Sequence, residues 1–83
     1  MENYIFPAAF TKEPAGIAIE FPDLPGCLSC ADNYRQAFRC AKEALHLHLC
    51  GMIRDEEEIP VPSEIENLKA PAGTMLMLIE TQI

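Results

Sequence analysis

Basic side chains are scarce. Six lysines and arginines stand against thirteen aspartates and glutamates, giving a net charge of −7 over 83 residues. A surface of that sign repels phosphate backbones, so direct nucleic-acid binding is not expected of this chain. No apolar run comes near the roughly 20 residues that cross a bilayer, and no basic segment followed by an apolar stretch marks the first residues for export. The expectation is a soluble globular protein, cytoplasmic, with its four cysteines as reduced thiols. Glycine is also thin, at four residues, and no glycine-rich phosphate loop exists. No serine sits in a G-x-S-x-G setting, and no second C-x-x-C or H-x-x-x-H follows the first cysteine pair at zinc-finger spacing. A chain this short has room for one core, which excludes a multidomain enzyme.

What the chain does have is a change of period. Tyr4, Phe6, Ala8 and Phe10 recur at a spacing of two, which predicts a strand; Thr11 to Gly16 is turn-type, and Ile17 to Phe21 alternates again, completing a hairpin. Pro22-Asp23-Leu24-Pro25-Gly26 is a rigid connection into a short third strand, Cys27 to Ala31. From Asn33 to about Ile53 the period is helical, with Asn33 as N-cap, Gln36 three residues on, and Gly51 and Arg54 near the end. Tyr34, Phe38, Ala41, Leu45 and Met52 form one apolar stripe, flanked by Ala37, His48 and Leu49. Cys40, Leu47 and Cys50 fall outside it, so the helix is more apolar all round than a monomer needs, which points to a partner. After the acidic run Asp55-Glu56-Glu57-Glu58 comes an extended segment, Ile59 to Ser63, then a single helical turn through Leu68. Thr74 to Thr81 is apolar on both faces, as in a strand covered on two sides. The element order is β-β-β-α-β in an α+β domain.

The acidity is uneven. Residues 1–53 carry four basic and six acidic groups, a balance of −2, while residues 54–83 carry two and seven, a balance of −5. A basic protein partner would be steered toward that C-terminal third.

Candidate chemistry is sparse. Cys27 and Cys30 form a C-x-x-C that can chelate zinc or cycle as a dithiol, but on a strand residues three apart point to opposite faces. His46 and His48 stand about 200° apart around a helix, so only His46 and Cys50, four apart, can share a ligand, and no further ligands lie on that face. His46 is read as solvated and His48 as a core-edge residue. No catalytic constellation, metal site or cofactor site is expected.

The run Phe21-Pro22-Asp23-Leu24-Pro25-Gly26-Cys27, followed by Asp32, Ala37, Ala41-Lys42-Glu43-Ala44-Leu45, Leu49, Gly51 and Ile59-Pro60-Val61-Pro62-Ser63, resembles the HicB-like antitoxin family over essentially the whole chain. That resemblance implies a partly degraded ribonuclease-H-like domain: a mixed four-stranded sheet in the order 3-2-1-4, its last strand parallel to its first, packed by one long helix. Pro7 would then sit in a central strand, where a bulge is expected, or a pairing with the last strand that starts beyond it. No Asp or Glu lies between Tyr4 and Phe10, so the nuclease carboxylates are missing and no enzyme activity is implied.

In the family, such a domain binds HicA-type toxins, small basic ribonucleases, and blocks their catalytic histidine. Residues 1–83 are expected to be a single HicB-like domain without the C-terminal DNA-binding segment many members carry. Arg35 and Gln36 replace the acids that often open the helix. The candidate partner contacts are Cys40, Leu47 and Cys50 on the helix back and Asp55, Glu56, Glu57 and Glu58 after it. The partners implied are a small basic toxin and further copies in a homo-oligomer. Two other readings remain open at this stage: an orphan domain that only self-associates, and a thiol or metal protein using Cys27 and Cys30.

Overall fold

Aromatic residues alternating through the N-terminal stretch favour extended backbone, and β1 runs Asn3–Glu13 in the structure, a computed structural model that describes residues 1–83. Pro14 and Ala15 turn the chain into β2, Gly16–Glu20, which pairs antiparallel with β1 from Ala9↔Glu20 to Glu13↔Gly16. Gly16 is obligatory there: its φ is +152°, and a Cβ would lie 2.3 Å from the Ala31 carbonyl oxygen of the neighbouring strand. β3, Leu28–Ala31, pairs antiparallel with β2.

The loop between β2 and β3 is built by Phe21, Leu24 and Cys27. All three are buried, and each bonds the next: the Leu24 amide donates to the Phe21 carbonyl (3.0 Å) and the Cys27 amide to the Leu24 carbonyl (3.0 Å). A spacing of three sends the apolar side chains inward and leaves Asp23 and Pro25 outside, with Gly26 taking the positive φ of +88° that closes the turn.

α1 spans Tyr34–Arg54. Asn33 caps it as expected, its side-chain oxygen accepting from the Gln36 amide at 2.9 Å. Gln36 answers by accepting from the Asp32 amide at 3.3 Å, one residue before the place a capping box would use. The first turn carries no acid, and Gly51 lies inside the helix, three residues short of its end. The buried stripe is Ala37, Ala41, Leu45 and Leu49, strictly four apart. Tyr34 and Phe38, which the sequence placed in that stripe, lie at its border and are more than a third exposed; Phe38 still sets its ring edge-on to Phe10 at 5.3 Å. Small residues in the first half of the stripe let the helix approach a sheet whose inner face is filled by Phe6, Phe10 and Ile19.

β4, Thr74–Gln82, completes the sheet in the order β3-β2-β1-β4. The order matches the expectation, but the direction does not. β4 runs antiparallel to β1, from Asn3↔Gln82 to Thr11↔Thr74, so the sheet is antiparallel throughout rather than mixed. The reason lies in residues 55–73. α1, about 31 Å long, carries the chain from the end of β3 to the opposite end of the sheet. A direct entry from there would make the last strand parallel to β1. Instead the proline-containing segment adds one more pass: Ser63 is held by Asp23 near the exit of β2, and Gly73 accepts from the Lys12 amide near the end of β1.

Pro7 needs no bulge. The ladder with β4 passes through it unbroken at Pro7↔Leu78. The reciprocal bonds between Glu2 and Ile83, and that from Lys12 to Gly73, show that the even-numbered residues of β1 turn their amides toward β4. Pro7 therefore turns its nitrogen toward β2, whose pairing begins only at Ala9, and its missing N–H costs no ladder bond.

β4 is also not covered evenly on two sides. Ile79 and Thr81 are buried under the helix, whereas Leu78 on the other face is 56% exposed. That outer face is covered locally: Phe6, Pro7 and Ala8 are buried in succession, which on alternating faces requires cover on both. The single turn Ile65–Asn67, with half-buried Ile65 and Leu68, packs against β4.

Candidate interaction surface

The outward side of α1 faces two adjoining clefts that share Leu47 and His48. The first, about 460 Å³, lies between the helix and β3 and is lined by Cys40, Glu43, Ala44 and the Gly26–Ser29 stretch. The second, about 710 Å³, lies beside the end of the helix, between the Asp23–Pro25 loop and the segment after α1, and takes in Met52, Asp55, Glu57 and Glu58. Leu47 stands between them and is 69% exposed, a large apolar side chain left in water on a helix whose opposite face is fully buried.

How the helix ends decides where the acids point. The Glu57 amide donates to the Met52 carbonyl (2.8 Å) and the Glu56 amide to the Ile53 carbonyl (3.1 Å), the paired bonds of a Schellman stop. Glycine usually occupies the left-handed position of that motif; here it is Glu56, with φ +57°. A non-glycine residue held there stores about 1 kcal/mol or more of strain. The reversal carries Glu57 and Glu58 back along the cleft with Asp55, while Glu56 lies outside it. Arg54 Nε sits 3.3 Å from Asp55 Oδ1, but both side chains are well exposed and the pair adds little. No lysine or arginine lines the second cleft.

Its other wall is fixed by a clasp between residues 40 positions apart. Asp23 accepts two hydrogen bonds from Ser63, one from the amide (2.8 Å) and one from the hydroxyl (2.6 Å). The carboxylate thereby holds the Ile59–Ser63 segment against the β2–β3 loop, joining the first and last of the sequence motifs.

Of the residues singled out from sequence, the structure brings together Cys40, Leu47, Asp55, Glu57 and Glu58 around these clefts. It does not bring in Cys50. Cys50 turns toward β4, where its Sγ lies 3.5 Å from His46 Nε2, and the other ring nitrogen of His46 shares a hydrogen bond with Thr81 Oγ1 at 3.1 Å. His46 is thus half-buried and bonded through both nitrogens, not solvated, because Thr81 presents a hydroxyl on the buried face of β4. Sequence reasoning missed His48 and Met52 as cleft residues, having placed Met52 in the buried stripe and His48 at its flank; the structure keeps His48 at that edge. The signal was the fourfold spacing of Ala37, Ala41, Leu45 and Leu49, which leaves positions 48 and 52 at the stripe's edge.

Cys27 and Cys30 do not meet. Cys27 is buried beneath the helix, its thiol donating to the Ala44 carbonyl at 3.6 Å, and burial pushes its pKa up to about 11. Cys30 pairs with Ala18 and is exposed. No three His, Cys, Asp or Glu side chains come together as a metal-holding group. The surface therefore offers contact chemistry, an apolar side chain with carboxylates on one side and Arg39 and Lys42 on the other.

Comparison with known proteins gives a consistent result. The family model described as the HicB-like antitoxin of bacterial toxin–antitoxin systems matches residues 6–81. A 14.9 kDa protein from the rep–hol intergenic region of Haemophilus phage HP1 is 39% identical over 62 residues, covering 75% of this chain and 47% of that protein. Antitoxin HicB 2 of Photorhabdus laumondii is 34% identical over 62 residues, covering 75% of this chain and 45% of the relative. The chain thus spans about half the length of these curated relatives. Among solved structures, the N-terminal domain of Burkholderia pseudomallei antitoxin HicB superposes with a TM-score of 0.79 at 26% identity, covering 96% of this chain and 100% of that one. A chain of a toxin–antitoxin complex from Streptococcus pneumoniae shares the fold with a TM-score of 0.86 at 17% identity, covering 95% of this chain and 69% of that one.

Proposed function

The chain belongs to the HicB-like antitoxin family of bacterial toxin–antitoxin systems, and from that premise we propose that it neutralises a small basic HicA-type ribonuclease by seating the toxin on the outward side of α1. The observation that carries this reading is the coincidence of the family match with an exposed apolar ridge beside a cleft lined by Asp55, Glu57 and Glu58. The carboxylates attract a cationic partner and raise the encounter rate. Leu47 and Met52 then accept the aliphatic stems of its lysines or arginines, whose charged ends reach the acids. Affinity comes from the apolar anchor, and orientation from the charges around it.

No reaction is assigned to this chain. In this reading it acts in the cytoplasm by covering the toxin's active site, and the toxin supplies the only chemistry. No helix is long and apolar enough to cross a membrane.

The test is co-expression with a small basic HicA-type ribonuclease. The two should copurify as one complex, and the toxin's cleavage of RNA should fall as the chain is added. Failure to copurify, together with undiminished cleavage, refutes the reading.

A further inference from the structure

His46 and Cys50, one turn apart on α1, form a pair that the docking surface leaves unused. Side chains four apart on a helix lie one above the other, and here His46 Nε2 and Cys50 Sγ are 3.5 Å apart. A zinc ion about 2.0–2.1 Å from an imidazole nitrogen and about 2.3 Å from a thiolate sulfur, at the tetrahedral angle, sets those two ligand atoms about 3.5 Å apart. The gap is already the one the ion needs. The second ring nitrogen is anchored as well: His46 Nδ1 shares a hydrogen bond of 3.1 Å with Thr81 Oγ1, on a residue only 3% exposed. Metal-bound histidines are regularly held in this way, which fixes the tautomer and leaves the Nε2 lone pair for the ion. His46 and Cys50 are both half-buried, and His46 and Thr81 open on a cleft of about 430 Å³ between α1 and β4. Arg39, Lys42 and Glu43 also line that cleft, but none is hydrogen-bonded to the pair.

We propose that His46 and Cys50 form a two-ligand site for Zn²⁺, with water filling the other two positions of its tetrahedron. Binding makes one Zn–N and one Zn–S bond; the thiol proton leaves to solvent, and no electron is transferred. A sulfur paired with an imidazole selects zinc over magnesium or calcium, which take oxygen ligands. No other thiol of the chain is bonded to an imidazole, and Cys27 is buried beneath the helix with its thiol on the Ala44 carbonyl. The chelate closes a ring across the helical turn that carries Leu47 and stiffens it. The site does not depend on the antitoxin reading, and its test involves no toxin.

Cobalt(II) reports on such a site, because a cobalt–thiolate bond gives a charge-transfer band in the near ultraviolet. The full chain, kept reduced with a phosphine, is titrated with Co²⁺ and then with Zn²⁺, beside Cys50→Ala, His46→Gln and the double variant Cys30→Ser/Cys40→Ser, each checked for its fold by circular dichroism. Glutamine at position 46 keeps a group that can bond Thr81, so that variant tests the metal ligand rather than the packing. One Co²⁺ per chain should bind the wild type and the double variant with the band. Zinc should displace it, and saturating zinc should raise the melting temperature by about 5 °C or more. Cys50→Ala should lose the band, and His46→Gln should bind at least tenfold more weakly. A wild type that shows no band at millimolar cobalt overturns the proposal. So does a band that survives Cys50→Ala, binding that His46→Gln leaves unchanged, or a band that disappears with Cys30 and Cys40.

Discussion

Removing the Asp23 carboxylate tests whether one side chain holds the long connection in place. In Asp23→Ala, Ser63 loses both its bonds, 2.8 Å from its amide and 2.6 Å from its hydroxyl, at a half-buried site. Hydrogen bonds to an ionised acceptor contribute about 1.5–3 kcal/mol each, and partial access to water returns some of that, so the net loss should be about 2–3 kcal/mol. For a domain of this size that lowers the melting temperature by roughly 10 °C or more. Ser63→Ala removes only the hydroxyl's share and should cost about 1 kcal/mol. In the Asp23→Ala background Ser63→Ala should cost nothing further, because its partner is already gone. Urea titration gives the energies. Hydrogen exchange gives the location: amides of residues 59–73 should exchange much faster, while those of β1, β2 and α1 speed up only in proportion to the loss of global stability. If Asp23→Ala lies within 0.5 kcal/mol of wild type, or exchange rises equally everywhere, the clasp does not do what is claimed for it.

Three further outcomes are expected. The pKa of Cys27 is raised from 9.0 to about 11 by burial, so the folded state favours the neutral thiol; its contribution is complete below pH 9 and lost by about pH 11, a decline of about 2–3 kcal/mol that Cys27→Ala should lack in alkaline denaturation. Glu56→Gly relieves the left-handed strain at φ +57° and should raise stability by about 1 kcal/mol in urea titration. Reversing Glu57 and Glu58 to lysine should slow toxin association about tenfold at low salt, measured by surface plasmon resonance, with the difference shrinking as salt is added.

Periodicity and turn chemistry made most of the fold legible. The alternation of Tyr4 to Phe10 and Ile17 to Phe21, the Asn33 cap and the strand order implied by the family motifs all appear in the structure. What the sequence could not convey was direction. Whether β4 enters from the near or the far end depends on the path of residues 55–73, and that path depends on a tertiary contact, Asp23 to Ser63, between segments 40 residues apart. The same limit applies to His46. Its spacing from Cys50 was visible, but Thr81, which completes its hydrogen bonding, comes from another element. Leu47 stood out as apolar and off the buried stripe because that is a property of one helix. The cleft beside it needed the Schellman turn at Glu56, where an acid occupies the place usual for glycine and gave no local signal.

Leu47 is the side chain on which the proposed docking turns. The decisive measurement is the inhibition of a small basic HicA-type ribonuclease, the proposed partner, by increasing amounts of wild type and of Leu47→Asp. This substitution lies on a side chain 69% exposed and should leave the melting temperature almost unchanged. Burying an unpaired carboxylate in place of an apolar anchor should weaken inhibition about 100-fold. Full inhibition by the well-folded variant at the wild-type concentration would show that the toxin docks elsewhere.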